Sequence, residues 1–347
     1  MSFRYIGSKA RIVDTLIEYI GPPSGGKFID ALCGTGAVAQ AASRAGWPVH
    51  VNDHLTSAAI TSFARMLSYE QVGFESLGGY SGAVKLLNNS KPKKGFIWKE
   101  YSPASIAHCA VSRMYFTEEN AAKIDGIRNT IAEWTKEGLV NSDEEKLLIA
   151  DLLGATNRIA NTAGTYGCFL SKWQPQSMEP IILKPREVPQ SSPMATMSTK
   201  DVLDVRCSPE DSVYLDPPYT KRQYAAYYHI LETIALGDNP IVEGVCGIRP
   251  WQHLASDYCY KVRAAKALQR LVKDIPAQQI YLSYSNEGHV PLEQLDEILS
   301  GIGTVIRHNF NAIGRYRPNR AASKAGSKVG EVLFYIDKTS QAKQVAI

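Results

Sequence analysis

An acid and an aromatic ring stand together at residues 216–219, Asp216-Pro217-Pro218-Tyr219, directly after the apolar run Val213-Tyr214-Leu215. The apolar run suits a buried strand. Pro217 and Pro218 cannot donate to a ladder and must end it. Because proline fixes φ, the pair also sets the turn that carries Asp216 and Tyr219. Ligands of open α/β sheets bind at the carboxyl ends of strands, so this is a place for chemistry. Taken alone, the same residues also describe an ordinary strand followed by a Pro-Pro turn with an acid as its cap.

A second set lies near the start of the chain. Lys27-Phe28-Ile29-Asp30-Ala31-Leu32 reads as a short strand, and Cys33-Gly34-Thr35-Gly36-Ala37-Val38-Ala39 opens a helix after it. This is the G-x-G-x-x-A pattern, in which glycines let the backbone approach a nucleotide at a helix N-terminus. Val49-His50-Val51-Asn52-Asp53 is a second strand ending in an acid, where a ribose hydroxyl pair would be held. A nicotinamide dehydrogenase would show much the same signature. Against it stand Asp30, which would repel a pyrophosphate but suits an ammonium group, and the lack of a histidine placed as acid–base. A third set, Arg4-Tyr5-Ile6-Gly7-Ser8-Lys9, precedes a helical pattern of Ile12, Leu16, Ile17 and Ile20 that stops at Gly21-Pro22-Pro23. Its Tyr and Lys could reach an anionic ligand, or the segment is a mobile terminus.

These sets need a scaffold. With 347 residues, 44% of them hydrophobic and 21% charged, the chain can bury one large domain or two. No apolar run approaches the ~20 residues of a membrane span, and the N-terminus lacks a secretory stretch. The six cysteines contain no CxxC pair and the seven histidines no HxxxH spacing, so neither a disulfide framework nor a metal site is expected. A reducing cytoplasm is the default. A net charge of +4 permits a nucleic-acid partner without requiring one.

From about residue 57 to 193 the alternation of strand and helix stops. Thr117 to Asn120 starts one helix, with Ile124, Ile127, Ile131 and Trp134 on one face. Ser142-Asp143-Glu144-Glu145 reads as a capping box for a second, with Leu147, Leu148, Leu152, Ala155 and Ile159. Around them, the Gly-rich residues 73–82 and the basic stretch Lys91, Lys93, Lys94 and Lys99 read as loops, and residues 190–198 as a linker. The second helix runs out into Arg158, Asn161, Tyr166 and Lys172, the residue types that base edges and phosphates require. The same composition fits a solvated helix end equally well. Lys221 and Arg222 follow the acid–aromatic turn directly and would suit a polyanion. Strands at residues 304–306 and 331–336 close the pattern, and between them lie Arg307, Arg315, Arg317, Arg320, Lys324 and Lys328 with no acid, as in a phosphate-contacting hairpin.

In this order the pieces resemble the D12 class of DNA adenine-N6 methyltransferases, the group that includes Dam-like enzymes. The resemblance implies a Rossmann-like α/β methyltransferase fold, with a mixed, mostly parallel sheet and antiparallel C-terminal strands. Residues 1–70 and 196–347 would form the catalytic domain and residues 71–195 a mostly helical target-recognition insertion. It implies S-adenosyl-L-methionine as cofactor. Tyr5 and Lys9 would border its methionine end, Asp30 its ammonium, Gly34 and Gly36 would allow close backbone approach, Asp53 would hold its ribose and Asp201 its adenine. The insert departs most from the Dam pattern, so no recognition sequence is carried over.

The resemblance further implies double-stranded DNA as substrate, and leaves open whether the enzyme guards against a companion restriction endonuclease, a functional rather than physical partner, or acts alone. No membrane and no stable protein partner is expected, and the setting is the cytoplasm, near the nucleoid. Asp216 and the Pro217 carbonyl would accept the two amine hydrogens of a flipped-out adenine, Pro218 would fix the turn, and Tyr219 would stack on the base. Methylation of RNA or of a protein glutamine is the principal alternative. Related enzymes acting on such targets usually carry Asn where this chain has Asp216. A DNA-binding module without catalysis fits less well with an intact Asp-Pro-Pro-Tyr.

Overall fold

The structure, a computed structural model, describes residues 4–310 and 330–339. The chain divides into two compact units. One comprises residues 8–54, 193–223 and 254–347, and the other residues 1–7, 55–192 and 224–253. The expected division fell at 70/71 and 195/196. In the structure the helical unit also takes in residues 55–70, the start of the chain and a second excursion after the acid–aromatic turn.

The first unit holds a seven-stranded sheet: β1 (Phe28–Asp30), β2 (Val49–Asn52), β3 (Ala195–Ser198), β4 (Ser212–Leu215), β5 (Gln279–Ser285), β6 (Thr304–Phe310) and β7 (Glu331–Asp337). Their order across the sheet is β3-β2-β1-β4-β5-β7-β6. The first five strands in that order pair in parallel, and β7 runs antiparallel to both β5 and β6. β1, β4 and most of β5 are buried along their length, as parallel central strands should be. Ile29, Val213, Leu215, Ile280 and Leu282 form one core with Leu268, Leu271, Leu295, Leu299, Val332 and Phe334.

Chain order reverses between β1 and β4, because β2 and β3 build out on one side and β4, β5 and β7 on the other. Such a switch point opens a crevice at the strand carboxyl ends. Asp30 pairs with Tyr214 in register, so Asp216 lies two residues farther along the same edge.

The residues read as a linker contain β3, whose Ala195 to Ser198 pair with Val49 to Asn52. As an edge strand with only its first residue fully buried, it shows no apolar alternation. Asn52 secures this corner. Its amide donates to the carbonyls of Ala31 and Lys200, and its carbonyl oxygen accepts from Ser198 and Lys200.

The second unit is helical, with its longest helices at Glu118–Lys136 and Ser142–Ile159. Thr117 caps the first as expected. For the second, the N-cap is Asn141 and its capping-box partner Glu144, one residue earlier than the sequence suggests. Two stretches read as loops contain helices, Gly79–Asn89 and Phe96–Tyr101. The latter is capped by Asp125, which accepts from the backbone amides of Gly95, Ile97 and Trp98. None of the helices among the described residues is long and apolar enough to cross a membrane.

Candidate active site

Asp216 follows the last residue of β4, and Pro217 ends the pairing there, as the sequence requires. Its carboxylate is mostly covered, and Oδ1 lies 3.1 Å from the Lys9 ammonium. The same ammonium lies 3.0 Å from Oε2 of Glu331, the first residue of β7. Lys9 is 5% exposed, so this is a buried cation between two carboxylates. Burial works to lower its pKa, but Asp216 and Glu331 outweigh that and hold it well above the usual lysine range. Burial raises Asp216 to about 6; Lys9 opposes the rise and Glu331 adds to it.

Tyr219 completes the turn. Its carbonyl accepts from the His289 amide at 2.9 Å, its ring meets Tyr284 edge-on at 5.8 Å, and Lys9 Nζ lies 5.6 Å from the ring centre. Burial pushes its hydroxyl up to about 12. Lys221 and Arg222, immediately after the turn, are exposed.

Asp30 closes β1 and is buried, and its Oδ1 has no hydrogen-bond partner among the described residues. Burial first, then the nearby Asp216 charge, raise its pKa well above the usual carboxylate value. Backbone hydrogen bonds from Ala39 and Leu32 oppose that rise, so it is the Oδ1 oxygen that is left to take a donor or a cation. Behind it Gly34 and Gly36 take left-handed backbone angles, φ +49° and +74°, and Gly36 caps the helix Ala37–Arg44. Oδ2 of Asp53 accepts from the Gly34 amide at 2.9 Å, which ties the end of β2 to this turn. Asp201 is exposed just past β3 and caps a short turn by accepting from Leu203.

Lys9, Asp30, Gly34, Gly36, Asp53, Asp201 and Asp216 to Tyr219 therefore all belong to the sheet unit. Tyr5 belongs to the helical unit, where it stacks on Tyr228 at 4.2 Å. In that unit Lys172 is exposed and Arg158 half-buried, its guanidinium donating to the Ile182 carbonyl. Asn161 and Tyr166 are buried. The Asn161 amide bridges the carbonyls of Met114 and Leu170 and the amide of Gln174, so it shapes the loop from inside. Arg315, Arg317 and Arg320 lie outside the described residues, and Arg307 sits within β6, paired with Asp296 at 2.6 Å. Glu331 has no counterpart among the residues singled out from sequence. Its only signal was an acid opening a strand.

The family model of the D12 class N6 adenine-specific DNA methyltransferases matches residues 5–298, which include the glycine turn, the helical unit's core and the Asp-Pro-Pro-Tyr turn. The chain belongs to this family.

Among the relatives of this D12 chain, modification methylase LlaI of Lactococcus lactis subsp. lactis is 31% identical over 98% of the chain and 56% of its own length. Type II methyltransferase M.FokI of Planomicrobium okeanokoites is 31% identical over 96% of the chain and 52% of its own length. The chain thus spans about half the length of these two. Type II methyltransferase M.NlaIII of Neisseria lactamica is 30% identical over 96% of the chain and 99% of its own length. By its description the D12 family acts on the N6 of adenine in DNA.

Proposed function

We propose that the protein transfers the methyl group of S-adenosyl-L-methionine to the N6 amine of an adenine in double-stranded DNA, as the modification half of a restriction–modification system. The observation that carries this reading is the anionic pair at the switch point of a D12-family chain: Asp216 at the end of β4 and Asp30 at the end of β1.

The residues fit the donor. The partnerless, buried Oδ1 of Asp30 suits the ammonium of its methionine part. The left-handed turn at Gly34 and Gly36 leaves room for backbone approach, and Asp53 and Asp201 are assigned its ribose and adenine. Bound there, it supplies an electrophilic sulfonium methyl.

The protein's own part is to prepare the nucleophile. The N6 lone pair of adenine is delocalised into the ring, and the amine must become pyramidal to use it. Lys9 engages Oδ1 of Asp216, so Oδ2 and the Pro217 carbonyl are assigned the two amine hydrogens. Acceptors fixed in that way stabilise the transition state more than the ground state. Asp216 must be ionised to accept, which its pKa of about 6 allows at neutral pH. The base has to leave the duplex to reach this turn, and the Tyr219 ring, set against Tyr284 on a backbone tied to the His289 amide, offers a stacking surface. As the N6–methyl bond forms, the donor's S–methyl bond would break to leave a neutral thioether, and one amine proton would pass to water. No bond to the protein is required.

Lys172, Lys221 and Arg222 are exposed cations suited to phosphates, with Arg158 and the basic segment holding Arg315, Arg317 and Arg320 as further contacts. The helical unit is the proposed target reader, and Asn161 and Tyr166 act within it by fixing the loop that presents Lys172. One catalytic set per chain makes a monomer sufficient, working where the DNA is, inside the cell. Incubating the protein with labelled S-adenosyl-L-methionine and separate pools of DNA, RNA and protein tests the assignment. Label is expected in DNA adenine, and label in RNA or in protein glutamine instead would contradict it.

A further inference from the structure

We propose that Glu331 is a positioning residue for methyl transfer, holding Lys9 between two carboxylates so that its ammonium does not fully neutralise Asp216, which thereby keeps its strength as an acceptor. The inference rests on the assignment of Asp216 to the target amine and adds a third member that neither the sequence motifs nor the family match supplies, since the match ends at residue 298.

Glu331 is fixed by the sheet. It stands opposite Ser285 of β5 on one side and Phe310 of β6 on the other. The preceding Gly330 donates to Asn286 Oδ1 at 3.1 Å and accepts from the Asn286 amide at 3.1 Å. The side chain is 12% exposed and reaches Lys9 at 3.0 Å, a contact as short as the one between Lys9 and Asp216. Lys9 therefore divides its hydrogen bonds and its charge between two carboxylates.

The charge balance explains why a second acid is useful. A lone Lys9 would neutralise Asp216 and drain its acceptor strength. With Glu331 present, two carboxylates face one ammonium, and the cluster carries one excess negative charge beside the position where the amine becomes positive. Holding an uncompensated charge in a covered site is unfavourable for folding. It is favourable for a reaction that brings positive charge to that site. The other groups facing Asp216 are Asp30 from β1 and Tyr214 and Tyr219 from its own strand and turn, while Asp53 acts on Asp30 and Arg222 on Tyr219. None of them touches the Lys9 ammonium within ion-pairing distance among the described residues, so Glu331 is the group that competes with Asp216 for it.

The test is the pH profile of single-turnover methyl transfer to DNA for the full-length protein and its E331Q and E331D variants. In E331Q, Lys9 acts on Asp216 alone, so Asp216 gives up its proton more readily and the acid limb moves to lower pH. The plateau rate falls about tenfold or more as the excess charge is lost, while donor and DNA affinities stay within about threefold. E331D, which keeps the charge on a shorter arm, recovers part of the rate and moves the limb back. A plateau rate that falls with the acid limb unmoved would mark Glu331 as merely structural and overturn the inference. So would an unchanged profile. Should E331Q fail to fold, E331D alone decides: because it keeps the charge, its rate should stay within about tenfold of the native one with a limb near the native position, and a loss of more than about tenfold with the limb in the native position overturns it. Retained transfer by Asp216→Ala would instead defeat the assignment of Asp216 itself.

Discussion

Replacing Asp216 by Asn separates what this residue does for activity from what it costs in stability. Burial raises Asp216 from the usual 3.8 to about 6, roughly two units, which at about 1.4 kcal/mol per unit is about 3 kcal/mol. A folded-state pKa above the unfolded one means that the protonated form is favoured by the fold. The associated stability is fully present below pH 3.8 and is lost as pH rises through about 6. Asn cannot ionise, keeps an oxygen for Lys9, and escapes that loss. At pH 8 the variant should therefore unfold later than the native protein, by up to about 3 kcal/mol, or several degrees for a chain of this size. The advantage should shrink as pH falls below about 6, where the native Asp216 takes up its own proton. Thermal unfolding of both proteins in a series of buffers from pH 5 to 8 reads the difference. A variant no more stable than the native protein at pH 8, or one with the same margin at pH 5, would refute the reasoning.

Other substitutions test the remaining parts of the site. Asp30→Asn should weaken S-adenosyl-L-methionine binding by about ten- to a hundredfold by calorimetry, the loss of one charged hydrogen bond, and unaltered affinity would remove Asp30 from the donor site. Tyr219→Ala should lose tenfold or more in transfer rate while Tyr219→Phe stays within about threefold, because stacking of about 1–3 kcal/mol needs the ring and not the hydroxyl; equal losses would count against a stacking role. Replacing Arg315, Arg317 and Arg320 together should lower the salt slope of DNA binding by up to about 3, and an unchanged slope would place all three away from phosphates.

Much of the site is legible in the sequence because its parts are local. Asp30 precedes its glycine turn within four residues, Asp216 precedes its prolines directly, and proline and glycine fix backbone geometry without help from the rest of the fold. What was not legible depends on partners far along the chain. Glu331 meets Lys9 across 322 positions, through a strand order in which β7 slots between β5 and β6. The helix Phe96–Tyr101 takes its cap from Asp125, so its start carries no local signal. β3 is an edge strand with little buried surface, and its composition reads as a linker. Asn161 shows the opposite effect. Its type suggested a base contact, yet the fold turns its amide inward to hold three backbone groups.

The central claim is that Asp216 makes this chain an adenine methyltransferase acting on DNA. The most direct measurement is sequencing, with detection of N6-methyladenine, of DNA from cells producing either the native protein or Asp216→Asn. Methylation of adenine within one recurring sequence, present with the native protein and absent with the folded variant, is the predicted result. Equal methylation in both, or none with a native protein shown to bind S-adenosyl-L-methionine and DNA, would contradict it.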